Sequence, residues 1–273
     1  MAPVYWQELR QASGWSVRAR SSGECSVKLN VGCGLEIVPG YDNLDNSLSI
    51  RVQSSPWLRA GAGLVERMLQ RQAYTRFPAG VRWCDVTHGL PYPDTSVEVV
   101  YSSHMLEHLP RQSAEWFVRE AYRVLKPGGV LRIAVPDLER KARDYLVRLE
   151  LDSRHENASA ALPADEFMQS TLLGVETRWT WRHPGEMYRA ILARGHLWMW
   201  DGPSLSGLLF GIGFGDVREK GFRESVISEI EQLDVEERRG ESVYVEGQRL
   251  LCSFALGCLS CCSAAASLGM IGI

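Results

Sequence analysis

A run of apolar residues near the middle of the chain constrains the fold more than any other feature. Residues 97–102, Val-Glu-Val-Val-Tyr-Ser, are mainly apolar on both faces, which is typical of a strand in the centre of a parallel sheet. An amphipathic helix is predicted over 111–125, before the breaker sequence Lys-Pro-Gly-Gly at 126–129, and a second buried strand at 130–135. Strands that alternate with helices at this spacing predict an α/β fold, in which a doubly wound, mostly parallel sheet carries helices on both faces.

Shorter apolar and amphipathic stretches on either side continue this alternation. We predict further strands at 27–31, 41–45, 81–86, 216–220 and 242–246, and helices at 58–73 and 204–214. Residues 235–241 are charged and are predicted to form an exposed turn. We assign all of these elements to one domain, residues 1–250.

Two segments depart from the alternation. Residues 138–200 contain long polar helical patterns with clustered tryptophans and histidines, and we interpret them as a helical insertion over the ligand edge of the sheet. Residues 251–273 form a tail that has no charged residue and is rich in Cys, Ser, Ala and Gly. The tail is long enough to span a bilayer, but its small and hydroxyl-bearing residues favour a loosely packed tail over a membrane anchor.

The charge balance and the cysteines restrict the setting of the protein. A net charge of −3 and a pI of about 6.1 provide no global basic field for nucleic acid. Seven cysteines without regular spacing argue against a disulfide framework, and the first residues lack the apolar core of a signal peptide. We therefore expect a cytoplasmic protein, with membrane association of the tail as the alternative.

A glycine turn follows the first predicted strand. Gly32, Cys33 and Gly34 stand there, where glycine permits a sharp turn and the close approach of a ligand. Asp45 ends the second strand and can accept both hydroxyls of a ribose, while Asp85 near the end of the third can accept from an adenine amino group. Because no lysine accompanies the turn, an adenosine without phosphates fits this set. The alternative is that both aspartates only cap turns.

Three stretches of the chain resemble motifs of a known family. They read KLNVGCG…PGYDNLD, CDVTHGLPYPDTSVEVVYSSHMLEHL and EAYRVLKPGGVLRIAVPD. Together they are similar to class I S-adenosylmethionine-dependent methyltransferases, and most similar to the methyltransferase type 11 group, over residues 28–137. The resemblance implies a Rossmann-like, doubly wound, mostly parallel seven-stranded sheet with S-adenosylmethionine as the cofactor.

The resemblance also implies roles for individual residues. It places the methionine part of the cofactor beside the two glycines of the turn, the ribose at Asp45, and the adenine at Asp85 and Val86. The floor beside the sulfonium is then formed by Ser102, Ser103 and His104.

One departure from the family pattern lies between Gly34 and Asp45. A parallel crossover normally takes a dozen or more residues, and this connection is too short to hold the usual helix. Residues 35–40 are therefore predicted to form a loop or a single turn. Cys33, inside the glycine turn, has no histidine partner nearby in the sequence and is predicted to pack beneath the cofactor.

Two histidines are candidates for chemistry. Methyl transfer from a sulfonium is an in-line displacement, in which the protein orients the reactants and can supply a base for an alcohol acceptor. His104 follows the fourth strand, and its alternative role is that of a turn residue bonded to backbone. His196 precedes Trp198 and Trp200, which fits a lid over a sugar ring and equally fits a small satellite core.

Several neighbouring residues are assigned no chemistry. Glu107 and His108 are predicted to orient the first turn of the following helix, and His183 ranks below the two histidines above. The cysteines at the end of the tail lack the second pair of ligands that a zinc site needs, so no metal site is expected.

The sequence leaves three functional hypotheses open. The first is an O-methyltransferase that acts on a small molecule or a saccharide. The second is a catalytically silent domain that binds S-adenosylmethionine and acts through a protein partner. The third, an NAD-dependent or nucleotide-sugar enzyme, predicts a longer G-x-G-x-x-G turn and a helix before the acidic residue, and residues 35–45 provide neither.

Overall fold

The computed structural model describes residues 27–69, 75–152, 163–173 and 195–251. The described strands are β1 (Val27–Val31), β2 (Asp42–Asp45), β3 (Arg82–Trp83), β4 (Val97–Ser103), β5 (Leu125–Pro136), β6 (Phe214–Lys220) and β7 (Ser242–Arg249). They form one seven-stranded sheet in the order β3-β2-β1-β4-β5-β7-β6. The strands from β1 to β5 pair in parallel, and β7 pairs antiparallel with both β5 and β6. The predicted α/β class and the mostly parallel seven-stranded sheet are confirmed.

Helices and single turns connect these strands. The described α-helices are α1 (Leu48–Ser54), α2 (Pro56–Leu69), α3 (Arg111–Val124), α4 (Leu138–Asp152), α5 (Pro163–Thr171), α6 (Gly202–Ile212) and α7 (Ile230–Leu233). Three short 3₁₀ turns are Val86–His88, Leu106–His108 and Glu236–Arg238. No helix within the described ranges is both long enough and apolar enough to cross a membrane.

The core lies on both faces of β4, as the apolar pattern of that strand predicts. Val100 is completely buried in a cluster that includes Phe117 of α3. Val99 and Tyr101 belong to a second cluster with residues of α7. Since alternate residues of a strand point to opposite faces, the sheet is covered on both sides and β4 is central. This position fixes the carboxyl end of β4 in the middle of the ligand edge.

Several predicted boundaries differ from the structure. The helix predicted at 58–73 begins at Pro56, and its last predicted residues lie outside the described ranges. The strand predicted at 81–86 is reduced to β3, because Asp85 and the residues after it turn into a 3₁₀ helix. The chain also forms α1, which the sequence pattern did not indicate and which Ser47 caps.

The predicted break at 126–129 is a bulge inside β5. Leu125 already pairs with Val97, and Val130 pairs with Val99. The chain between these two pairs therefore has three more residues on the β5 side, and Gly128 takes a positive φ of 81°. The expectation that the strand starts only at Val130 was wrong, because glycine allowed the extra residues to loop out without ending the pairing.

The predicted insertion and tail are described only in part. Helices α4 and α5 and residues 195–200 belong to the interpreted insertion at 138–200, and Trp200 forms a bridge with Asp137 next to the end of β5. Residues 153–162 and 174–194, which include His183, lie outside the described residues, as do 252–273 of the tail. The domain limits and the covering role of the insertion stay predictions.

Candidate functional site

The glycine turn continues directly from β1. Gly32 and Gly34 have φ angles of 74° and 54°, in the left-handed region that glycine enters without strain. The amides of Gly32 and Cys33 both donate to the carbonyl of Leu44, at 2.8 and 3.1 Å. A Cβ atom on Gly32 would lie 2.5 Å from Cγ of Met105, whereas one on Gly34 would meet nothing within 4 Å. Gly32 is therefore needed for packing, and Gly34 faces open space where a ligand can approach.

Residues 35–40 form a loop, as predicted. The buried side chain of Asn43 holds this loop, because its Oδ1 accepts from the Val38 amide at 2.9 Å and its Nδ2 donates to the Val38 carbonyl at 3.1 Å. This short loop brings Asp45 back to the turn, where its Oδ2 accepts from the Gly34 amide at 3.0 Å. The Ser47 amide donates to the other oxygen at 2.8 Å. A carboxylate oxygen has two lone pairs, so both oxygens retain an accepting position for ribose hydroxyls.

Asp85 lies beside Asp45 at the ends of adjacent strands. Residue 83 of β3 pairs with Asp45, and the Cys84 amide donates to the Asp45 carbonyl at 2.9 Å. Oδ1 of Asp85 accepts from both the amide and the hydroxyl of Thr87, at 3.0 and 2.7 Å, so Asp85 does cap the 3₁₀ turn. Val86 follows it and is buried. The roles of Asp85 and Val86 toward adenine stay predictions.

The carboxyl end of β4 places three predicted residues beside the glycine turn. Ser102 is completely buried, and its hydroxyl has no hydrogen-bond partner among the residues described. The Ser103 hydroxyl accepts from Nη1 of Arg238 at 2.7 Å. His104 has a φ of 51°, a conformation that costs a non-glycine residue about 1–2 kcal/mol. Such strain at a strand end often marks a functional position.

His104 is held between the sheet and the following turn. Its amide donates to the Ala134 carbonyl at 2.9 Å, and its Nε2 lies 2.7 Å from the Ser242 hydroxyl. Its Nδ1 lies 3.5 Å from Oε1 of Glu107. Burial, and then the nearby charge of Arg238, lower the pKa of His104 to about 3, so the imidazole is neutral at neutral pH.

Glu107 places a buried carboxyl group in the turn that follows β4. It is completely buried, and neither carboxylate oxygen has a hydrogen-bond partner among the described residues. Burial raises its pKa to about 8. The prediction that the Glu107 side chain orients the first turn of the following helix is not tested by these contacts and stays a prediction.

His196 comes to the same place from a distant part of the chain. The amides of Leu197 and Trp198 donate to the Glu107 carbonyl at 2.7 and 3.2 Å. Nε2 of His196 lies 4.0 Å from Oε1 of Glu107, and its ring packs edge-on against that of His108. The structure thus brings both predicted catalytic histidines, His104 and His196, to one buried carboxylate. Their catalytic roles are not tested by this arrangement and stay predictions.

Arg238 is a site residue that the sequence pattern did not reveal. The predicted exposed turn at 235–241 does contain a 3₁₀ turn, but the Arg238 side chain is only 25% exposed, and its Nη2 lies 3.4 Å from Oε1 of Glu36. A small cleft is lined by Gly32, Cys33, Ser103 and Arg238 together. Nothing in the sequence distinguishes Arg238 from its exposed neighbours, because its contact with β4 is formed only by folding.

Cys33 has the environment of a packing residue. It is 5% exposed, and its thiol donates to the Gly34 carbonyl at 3.5 Å. Burial, followed by the negative charge of Asp45, raises the pKa of this thiol to about 12. A thiol that stays protonated at neutral pH is a poor nucleophile, which agrees with the predicted packing role.

Comparison with known proteins finds sequence similarity to methyltransferases over part of the chain. Residues 52–133 match a family model described as "Methyltransferase domain". A stretch of 57 residues is 46% identical to a "Probable S-adenosylmethionine-dependent methyltransferase" of Mycolicibacterium smegmatis and covers 19% of this chain. That stretch spans only 21% of the relative's length. The family model includes Asp85, Ser103 and His104 and begins after the glycine turn.

Solved structures that resemble this chain include the following two. A SAM-dependent methyltransferase from Archaeoglobus fulgidus is 14% identical, with a TM-score of 0.39 over 89% of this chain and 92% of that one. A structure described as "PigF with SAH" is also 14% identical, with a TM-score of 0.40 over 86% of this chain and 53% of that one.

Proposed function

We propose that this chain, which contains a methyltransferase family domain over residues 52–133, is a class I S-adenosylmethionine-dependent enzyme that methylates a hydroxyl oxygen of a small molecule or a saccharide. The observation that carries the proposal is the hydrogen bond between the Gly34 amide and the Asp45 carboxylate. It fixes an open glycine turn and a ribose acceptor side by side at the carboxyl ends of β1 and β2, the edge where parallel sheets of this type bind ligands.

The proposed cofactor site extends along three neighbouring strand ends. The adenine lies toward Asp85 and Val86 at the end of β3, and the ribose bonds to Asp45. The methionine part lies along the glycine turn toward Ser103. Arg238 is the single cation among the described residues that line this cleft, so we assign it to the carboxylate of the methionine part. Such charge-assisted hydrogen bonds are about twice as strong as neutral ones.

The proposed reaction is an in-line displacement at the sulfonium methyl group. The acceptor oxygen forms a bond to the methyl carbon as the bond from carbon to sulfur breaks, S-adenosylhomocysteine leaves, and the hydroxyl proton is released. The protein accelerates such a reaction mainly by orientation. We assign His104 and His196 to the acceptor side, because both lie beyond the strand end that forms the floor of the cofactor site.

The setting proposed for this reaction is the cytoplasm. Among the described residues, Cys33 and Cys84 are free thiols, which is the ordinary state of cysteines in a reducing compartment. The acidic net charge supports a small acceptor rather than nucleic acid.

The experiment is a methyl-transfer assay that detects S-adenosylhomocysteine over a panel of sugars, phenols, carboxylates and amines, with mass spectrometry of the product. Methylation of a hydroxyl acceptor supports the proposal. Turnover with amines alone would exclude the O-methyl assignment, and no binding of S-adenosylhomocysteine would exclude the cofactor assignment.

The histidine assignment is tested on the same assay. His104→Ala and His196→Ala should retain the affinity for S-adenosylhomocysteine and lose most of the rate. Arg218→Ala is a matched surface control, because the Arg218 side chain is 65% exposed on β6. Full rate in both histidine variants would remove the two residues from the mechanism and leave the cofactor assignment intact.

A further inference from the structure

We infer that Glu107, His108 and His196 form a binding site for one divalent transition-metal ion, a property that goes beyond the proposed methyl transfer. One ligand atom of each residue lies within 4.8 Å of those of the other two. Glu107 and His108 belong to the turn that follows β4, and His196 belongs to the segment that leads to α6. The site is therefore built from two parts of the chain that only the fold brings together.

The distances suit an ion after a small movement of the side chains. Zinc ligands lie about 2.0–2.2 Å from the metal, so the ligand atoms of a tetrahedral site are roughly 3.4 Å apart. Oε1 of Glu107 and Nε2 of His196 are 4.0 Å apart. Binding would need this pair to approach by about 0.6 Å and the other pairs, which lie within 4.8 Å, by up to about 1.4 Å, which side-chain rotation provides.

Glu107 supplies an independent observation that points to a ligand. Its side chain is 1% exposed, and neither oxygen has a hydrogen-bond partner among the described residues. Burying a carboxylate without partners costs several kcal/mol, so a native fold rarely keeps such a group without a use. A cation between Glu107 and the two imidazoles would satisfy both its charge and its lone pairs.

The backbone holds the three ligands in place. Leu197 and Trp198 donate to the Glu107 carbonyl, which fixes the segment of His196 against the turn after β4. Nδ1 of His196 lies 3.3 Å from Sδ of Met199, so its Nε2 is the nitrogen directed toward Glu107. A ligand histidine whose other nitrogen is engaged keeps a defined ring orientation.

The ligand types select the class of metal. Two imidazoles and one carboxylate are typical of zinc sites that retain an open position, and also of non-haem iron(II) sites. Magnesium and calcium prefer oxygen ligands alone. Three protein ligands leave a coordination position free for water or for an acceptor oxygen. The sequence did not suggest this site, because His196 lies far along the chain from Glu107.

The experiment titrates the metal-stripped full-length chain with Zn²⁺ by calorimetry and with Co²⁺ by visible absorption, without cofactor or acceptor. We expect one ion per chain and a higher Tm with the ion bound. Glu107→Gln and His196→Ala should each weaken binding by more than about 100-fold, because even outer-shell partners contribute up to that factor. His88→Ala is the matched control, since His88 is an exposed histidine outside the site.

Two controls separate this site from metal binding elsewhere on the chain and from a loss of folding. Cysteines of the tail can also bind Zn²⁺, so the titration is repeated with Cys258, Cys261 and Cys262 changed to serine, and Co²⁺ should show no thiolate absorption band. Glu107→Gln keeps the size of the side chain and removes only its ability to ionise, so it should fold with an unchanged or higher Tm without metal. Wild-type binding in a folded Glu107→Gln variant, or no binding by the wild type, would overturn the metal site and leave the methyltransferase proposal standing.

Discussion

The Gly34 amide and the Asp45 carboxylate are joined by a hydrogen bond of 3.0 Å, across a connection too short to hold a helix. We predict that Asp45→Ala weakens the binding of S-adenosylhomocysteine by roughly 10- to 100-fold. Hydrogen bonds to a charged group contribute about 1.5–3 kcal/mol, which corresponds to that range in Kd. Calorimetry with S-adenosylhomocysteine measures the change directly.

Two further variants define the cause of that loss. Asp45→Asn keeps one accepting oxygen and should fall between wild type and Asp45→Ala. Asp216→Asn changes an acidic residue that is 50% exposed on the far edge strand, and it should bind like wild type. If Asp45→Ala binds as tightly as wild type, Asp45 does not hold the ribose.

The parts of this site that could be predicted from the sequence have local signals. β1 ends at the predicted residue, and the turn after it follows from two glycines in three positions. The short connection to Asp45 could be predicted as a loop from its length alone. The apolar pattern of β4 likewise placed that strand in the centre of the sheet, because a strand that is buried on both faces has apolar residues at successive positions.

The parts that could not be predicted depend on contacts between distant residues. Arg238 is 135 positions from Ser103 in the sequence. The residues around it, 235–241, are charged like those of any exposed turn, so the sequence gives no sign of the contact. The approach of His196 to Glu107 requires the backbone bonds of Leu197 and Trp198, which no local pattern encodes. The length of β5 was missed for a related reason, since its pairing with β4 resumes on both sides of the bulge.

The role assigned to Arg238 predicts a loss of cofactor affinity on its removal. Arg238→Met should weaken the binding of S-adenosylhomocysteine by about 10- to 100-fold, because a buried or half-buried charged hydrogen bond contributes about 1.5–3 kcal/mol. Arg238→Lys should recover part of the affinity, since it keeps the charge and loses the fork geometry. Calorimetry under the same conditions compares the two.

The control for Arg238 is its neighbour in the sequence. Arg239 is 65% exposed and pairs with Glu236, so Arg239→Met should leave the affinity for S-adenosylhomocysteine unchanged. Equal losses in the two variants would mean that the effect is general electrostatic attraction, and the specific assignment of Arg238 would fail.

The packing of Gly32 predicts a loss of stability on substitution. Gly32→Ala should lower the free energy of unfolding by about 2–4 kcal/mol, because the added Cβ meets Met105 at 2.5 Å and also carries the left-handed backbone cost of about 1–2 kcal/mol. Gly40→Ala isolates the backbone part, since Gly40 has a φ of 81° and open space around the added atom. Urea denaturation of both variants gives the difference, and equal values would contradict the clash.

The raised pKa of Cys33 predicts its reactivity. Because burial raises the pKa of the Cys33 thiol to about 12, the reactive thiolate is scarce at pH 8. We expect Cys33 to resist alkylation by iodoacetamide in the folded chain and to react fully after unfolding, as measured by peptide mass spectrometry. Rapid alkylation of Cys33 in the native chain would show that it is accessible and ionised.

The last prediction concerns the ion pairs that hold the turn of Arg238. Arg132 is completely buried on β5, and its guanidinium lies 2.6 Å from Oδ2 of Asp234 and 3.4 Å from Oε2 of Glu246. Arg132→Met would leave two acidic residues buried without their cation. Breaking a buried pair in this way costs about 3–5 kcal/mol, which urea denaturation should detect as a loss in the free energy of unfolding.

The same variant should also affect the cofactor site. Asp234 directly precedes the segment that holds Arg238, and it accepts from the hydroxyl of Tyr101 on β4 as well. Weakening the contacts of Asp234 should reduce the affinity of the folded molecules for S-adenosylhomocysteine. Arg132→Met combined with Asp234→Asn and Glu246→Gln removes the unpaired charges and should recover most of the stability, because a buried ion pair is often replaceable by neutral groups. If the triple variant is no more stable than Arg132→Met, unpaired charge is not the source of the lost stability. The loss then comes from the missing packing of the Arg132 side chain against Tyr244.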